Sequence, residues 1–254
     1  MRRFYEELAE LLREHSLLVV ATIVKVTGSS PRDAGAKMIV LPSGDVVGTL
    51  GGGSLEAQVT KDALECLAQR RPALKSYSLS ESGLGMECGG ACEVYFEPVC
   101  PPDRLIVFGG GHVGKAIARW AAAASFAVEV VDDREEHLDP AAYLPGATLV
   151  KTDKTFTQGF TPPGPHDFAV VVTREADMDA TLAGRHAGVC GYLGVMGSAK
   201  KLGFIKKTLA AQGVQDDVLE RIRCPMGLDI GADTPDEIAV SVIAEMIAVR
   251  SGKR

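Results

Sequence analysis

Leu105-Ile106-Val107-Phe108-Gly109-Gly110-Gly111-His112-Val113-Gly114 is the stretch that decides the fold. Four apolar residues read as a buried strand and run straight into Gly-x-Gly-x-x-Gly at 109, 111 and 114. Each glycine has a steric task in that pattern. Gly109 permits a tight turn, Gly111 lets the backbone approach a pyrophosphate, and Gly114 lets the next helix pack on the strand. A helix opening at His112 would turn its first N–H groups and positive dipole end toward a phosphate. A glycine match alone is weak. Here Val128-Glu129-Val130-Val131-Asp132 follows as a second strand, and Asp132 ends it about twenty positions on, where an acidic residue can bond a ribose hydroxyl. This context predicts a Rossmann-like domain. Occupancy by NAD(P) is a separate matter, because glycines kept for strand–helix packing alone would look the same. His112 reads as a capping or phosphate-side group, and no catalytic role is assigned to it.

Toward the C-terminus, strand patterns at 168–172 and 192–195 alternate with helical patterns at 112–125, 176–187 and 198–211. Such alternation predicts a parallel sheet covered on both faces. Thr234-Pro235-Asp236-Glu237 then offers an N-cap, a proline at the first helical position and a glutamate three residues after the cap. Toward the N-terminus, three prolines within residues 97–102 mark the best boundary in the chain. The expected division is a domain at 1–97, a linker at 98–103 and a domain at 104–254. The first domain reads as a helix over 1–15, a strand over 17–26, a hairpin around Pro42-Ser43-Gly44-Asp45, a helix ending near Gln69, and strands at 74–79 and 92–96. The fold class is α/β: an N-terminal mixed α/β domain followed by a C-terminal Rossmann-like domain with a parallel sheet.

The 254 residues suffice for two cores, and 46% hydrophobic with 24% charged residues is ordinary for a globular protein. A net charge of −6 argues against a general nucleic-acid or anionic-membrane binder. Lys200, Lys201, Lys206 and Lys207 cluster, but a solvated helix face explains them. No secretory signal or bilayer-length apolar run is visible, so the expectation is a cytoplasmic protein whose six cysteines are thiols.

Two further features look chemical. Gly51-Gly52-Gly53-Ser54-Leu55-Glu56 opens a helix, where successive N–H groups can form an anion nest. A tight loop at a close approach of two elements is the equal alternative. Cys88-Gly89-Gly90-Ala91-Cys92 is one residue too long for Cys-x-x-Cys, with no second Cys or His pair nearby, so it is not a zinc signature. Cys88 in a glycine loop could meet a soft metal or carry sulfur, or be an inert thiol in a turn. Arg32 could bind a phosphate bidentately or be a solvated turn residue.

Taken together, Gly28-Ser29-Ser30-Pro31-Arg32, Gly48-Thr49-Leu50-Gly51-Gly52-Gly53-Ser54-Leu55-Glu56, Cys88-Gly89-Gly90, Gly194-Val195-Met196-Gly197-Ser198 and Pro225-Met226-Gly227-Leu228-Asp229-Ile230-Gly231 resemble the XdhC/CoxI family, accessory factors for xanthine dehydrogenase and related molybdenum hydroxylases. The resemblance covers nearly the whole chain. It implies binding of the molybdenum cofactor (molybdopterin), support of its terminal sulfuration, and delivery to a molybdenum hydroxylase apo-enzyme. A cysteine desulfurase and a second copy of the chain are further candidate partners. The site residues it points to are Arg32, the Gly51–Glu56 turn, Cys88 as a ligand to the molybdenum, the Gly109 turn, and Gly227 with Asp229. Cys92 and Cys224 have no inherited role.

Two rivals stand beside this reading. One is an NAD(P)-dependent oxidoreductase at the Gly109 loop, disfavoured because no His–Asp or Tyr-x-x-x-Lys pair stands at a suitable place. The other is an interaction scaffold whose glycine motifs are relics.

Overall fold

A computed structural model of the chain describes residues 2–80, 83 and 89–253. The chain divides into two units, Met1–Pro101 and Pro102–Arg254.

The first unit runs α1 (Arg2–Glu14), β1 (Leu18–Thr27), β2 (Lys37–Val40), β3 (Val46–Gly48), α2 (Gly53–Gln69), β4 (Ala73–Ser78) and β5 (Ala91–Val99). The strands form one antiparallel sheet in the order β3-β2-β1-β5-β4. Alternation along β1 sends Val19, Ala21 and Ile23 to one face, where Leu55, Val59 and Ala63 of α2 meet them. Leu18 and Val20 join Ile39 and Leu41 on the other face, and Phe4, Leu8 and Leu11 of α1 pack there. The linker was expected to begin at Pro98, yet β5 continues to Val99. Pro98 pairs with Val19 of β1, beyond the last β4 partner at Phe96, where β5 has one neighbouring strand and a proline is tolerated.

The second unit runs β6 (Arg104–Phe108), α3 (His112–Ala123), β7 (Ala127–Asp132), β8 (Thr148–Lys151), β9 (Phe168–Val171), α4 (Ala176–His186), β10 (Tyr192–Val195), α5 (Ala199–Ala211), α6 (Asp216–Leu219), β11 (Ile222–Arg223) and α7 (Pro235–Arg250). Its six strands are all parallel, in the order β11-β10-β9-β6-β7-β8. The order reverses between β6 and β9, which is the switch point at which open α/β sheets bind ligands. Ile106, Phe108 and Val171 face a core shared with α4 and α5, while Leu105, Val107 and Val170 face one shared with α3 and α7. The Thr234 hydroxyl accepts from the Glu237 N–H and the Glu237 side chain accepts from the Thr234 N–H, the reciprocal cap read from the sequence. Two edge strands, β8 and β11, escaped that reading. Each has a neighbour on one side only, and neither carries a long apolar run. Among the described residues no helix is long and apolar enough to cross a membrane.

Candidate functional site

Because the second sheet is wholly parallel, the segments after β6, β7, β9, β10 and β11 all leave from one edge. The Gly109 turn is the first of them. Gly109 takes φ 113°, and a side chain there would stand 2.6 Å from the Val172 carbonyl oxygen beyond β9. A Cβ at Gly114 would overlap the Gly109 carbonyl oxygen, so only glycine lets α3 start this close to the strand. At Gly111, by contrast, a Cβ would meet nothing within 4 Å. The start of α3 therefore faces open space, with no side chain capping it. His112 is exposed and shares a 360 Å³ cavity with Lys115, Arg119 and Tyr143.

Asp132, read from the sequence as a ribose partner, has partners within its own unit. It is 1% exposed at the end of β7. Its Oδ2 accepts from the Gly110 N–H at 2.7 Å and the Arg134 Nη2 at 3.3 Å; its Oδ1 accepts from the Arg134 N–H at 2.8 Å and Nε at 3.2 Å. Those four bonds account for the roughly four lone-pair sites of a carboxylate. Burial pushes the carboxyl up, but the Gly110 amide and Arg134 together outweigh it and hold Asp132 below its ordinary range. The residue expected to meet a ribose thus also clamps the glycine turn. The neighbouring Asp133 pairs with Arg174 at 3.2 Å, on the other side of the switch point.

Residues that sequence reasoning missed hold the remaining loops. Asp179, fully buried, accepts from the Thr173 N–H at 3.2 Å and pairs with Lys201, whose Nζ also donates to the Met196 carbonyl at 2.7 Å. One lysine of the supposed solvated cluster thus ties the loops after β9 and β10 together. Glu245, 3% exposed within α7, accepts from the Gly227 N–H at 2.8 Å, the Tyr192 hydroxyl at 2.9 Å and Arg223 at 3.1 Å. Its only sequence signal is a carboxylate amid the apolar Ile243-Ala244 and Met246-Ile247. Gly227 and Asp229 line a cavity of about 540 Å³ beside this anchor. Cys224 is buried, which pushes its thiol up.

In the first unit, three sequence-distant segments meet at the end of the sheet where β1 finishes and β5 begins. A Cβ at Gly51 would overlap Pro31, and one at Gly90 would overlap the Ser29 carbonyl oxygen. The segments 28–32, 48–56 and 89–90 therefore touch through glycines. The anion nest exists, but its anion is internal. Glu56 Oε1 accepts from the Gly52 N–H at 2.8 Å, the Leu50 N–H at 2.9 Å and the Thr49 hydroxyl at 2.5 Å. Burial raises the Glu56 carboxyl and these donors outweigh it, leaving it below its ordinary range. The Leu50 and Gly52 N–H groups are therefore taken by Glu56. The space in front of Gly52 and Gly53 is clear, and Ser54 continues the helix start. Arg32 is exposed beside this turn, and its guanidinium takes no ion pair among the described residues. Cys88 lies outside the described residues. Cys92 is 2% exposed within β5, in the core under α2. Among the described residues no group of three His, Cys, Asp or Glu is placed to hold a metal ion.

Comparison with known proteins bears on both units. Residues 105–246 match the XdhC Rossmann domain, and residues 11–78 match the XdhC and CoxI family. The chain is 33% identical over 252 residues to the uncharacterized protein YqeB of Escherichia coli, spanning 97% of this chain but only 46% of that relative. It is 26% identical over 341 residues to a probable xanthine dehydrogenase subunit of Bacillus subtilis, with 98% of each chain covered. Among solved structures, a xanthine dehydrogenase from Bacillus halodurans aligns with a TM-score of 0.53 at 22% identity, covering 98% of this chain and 96% of that one, a likeness of fold alone. With more than half of its length matched to one domain model and most of the rest to the companion model, the chain belongs to the XdhC and CoxI family, its second unit being an XdhC Rossmann domain.

Proposed function

We propose that this chain is a maturation factor that binds the molybdenum cofactor, supports its sulfuration and delivers it to a xanthine-dehydrogenase-type molybdenum hydroxylase in the cytoplasm. One observation carries the reading. The segments 28–32, 48–56 and 89–90, far apart in sequence, are brought together at the end of the sheet where β1 finishes and β5 begins, where Arg32 is exposed and unpaired among the described residues. Leu50 and Leu55 root this cluster in the core of the unit, and its outer face, with the exposed Arg32, is left for a ligand.

The residues present fit such a group. The cofactor carries an anionic phosphate, a polar ring system and a soft metal–dithiolene end. In the second unit taken by itself, the open space at Gly111 before the uncapped start of α3 suits an anionic phosphate of its own ligand. Arg32 suits an anionic oxygen. Cys88, which precedes Gly89 in the sequence, supplies a thiol of the softness that molybdenum prefers. When bound, the group supplies oxygen- and sulfur-transfer chemistry to the hydroxylase. The chain's own residues hold and orient it and shield it from water. A cysteine desulfurase as sulfur donor and a homodimer as working form belong to the same proposal.

The oxidoreductase alternative has less support. Asp132 is closed onto Gly110 and Arg134, so the usual ribose contact of an NAD enzyme is taken from within. Activity of a co-expressed hydroxylase tests the proposal. Wild-type chain should activate it, and Cys88→Ser should reduce activation with little change in melting temperature. Full activation by Cys88→Ser would remove the thiol from the mechanism.

A further inference from the structure

We infer that the cavity between the β10 loop and residues 225–232 is a binding pocket for an amino-substituted nitrogen heterocycle, with Asp229 as its recognition group. This rests on the proposed function only for the identity of the natural ligand. The cavity measures about 540 Å³, within the range of small-molecule sites. Met196, Met226, Leu228, Ile230 and Ile238 give it apolar walls, and Asp229 is the one ionisable side chain on it. Ile230 is 55% exposed and Met196 37% exposed, apolar surface that a ligand would cover. Two methionine thioethers favour the edge and face of an aromatic ring. No hydrogen bond or ion pair engages Asp229 among the described residues.

The wall is built rather than draped. Glu245, buried in α7, holds the Gly227 N–H, and the Leu228 N–H donates to the Ser241 carbonyl at 3.1 Å. A Cβ at Gly227 would overlap the Ser241 hydroxyl, so the loop lies directly on α7. Asp229 is exposed at the mouth of this cavity, where its carboxylate repels phosphates and carboxylates and can accept from ring N–H and amino donors. This end therefore takes a ring, whereas the Gly109 turn takes a phosphate. A pterin and a nucleotide base share that donor chemistry.

The test titrates the full chain separately with pterin, adenine and nicotinamide, by calorimetry and by ligand-observed NMR. Asp229→Asn and Ile230→Glu serve as variants, with circular dichroism confirming their fold. Saturable binding of pterin or adenine is expected, about tenfold weaker or worse in Asp229→Asn, where a charge-assisted bond is lost. Pterin binding alone identifies the cofactor ring as the source, and adenine binding alone a nucleotide. Equal binding by Asp229→Asn, or no binding of any of the three, overturns the inference. Molybdenum content is measured on the same preparations. Retained molybdenum without ring binding sinks the pocket and spares the proposed function. Ring binding by a chain that never carries molybdenum does the reverse.

Discussion

His186 illustrates how much one buried group can govern. It lies in α4, 6% exposed, stacked on Phe108 with ring centroids 5.2 Å apart, and its Nε2 has no hydrogen-bond partner among the described residues. Burial, with Arg185 adding to it, depresses the imidazole to about 4 from an ordinary 6.5. Between those values the unfolded chain binds the extra proton and the folded chain does not. The stability contribution is therefore whole above pH 6.5 and falls as pH drops toward 4, by an amount on the order of 3 kcal/mol. His186→Phe keeps the stack and removes the proton. Its melting temperature should change less than that of wild type between pH 7 and 5; parallel slopes would refute the assignment. Gly114→Ala is the steric counterpart. The added methyl meets the Gly109 carbonyl oxygen, and such overpacking costs about 1–3 kcal/mol. Urea unfolding would detect it, and an unchanged midpoint would show that α3 can move away. The demands on Gly109 and Gly114 were legible in sequence because turn and packing are local. The partners of Asp132 were not, since a terminal carboxylate reads the same whether it faces a ribose or its own loop.

At the scale of elements, loops are held by side chains from distant helices. Glu245 of α7 fixes the β11 loop through the Gly227 N–H, and its position within an apolar helix gives no hint of its target. Glu245→Gln turns one acceptor into a donor that faces other donors. Hydrogen exchange at the Gly227 amide should then speed up about tenfold, the worth of one such bond, while amides of β6 keep their protection. Equal acceleration in β6 would mean general destabilisation instead. Long apolar strands and the Thr234–Glu237 cap were legible because their signals are periodic or local. The two-residue β11 and the polar-ended β8 were not, because only pairing with an already formed sheet makes them strands.

At the scale of the molecule, each unit has its own sheet and its own core. Residues 102–254 expressed alone should melt cooperatively by circular dichroism, and a featureless melt would show that this unit depends on the other. The two-part plan was legible from the prolines at 98, 101 and 102 and from the switch between sheet patterns. The meeting of segments 28–32, 48–56 and 89–90 was not, for it depends on which strand lies beside which. These residues are proposed to hold the molybdenum cofactor. Metal and pterin analysis of the full chain, purified from cells that make the cofactor, tests this proposal most directly. Molybdenum and pterin are expected together in stoichiometric amount, reduced in Arg32→Ala and Cys88→Ser. A wild-type chain carrying neither, beside a hydroxylase loaded in the same cells, would contradict it.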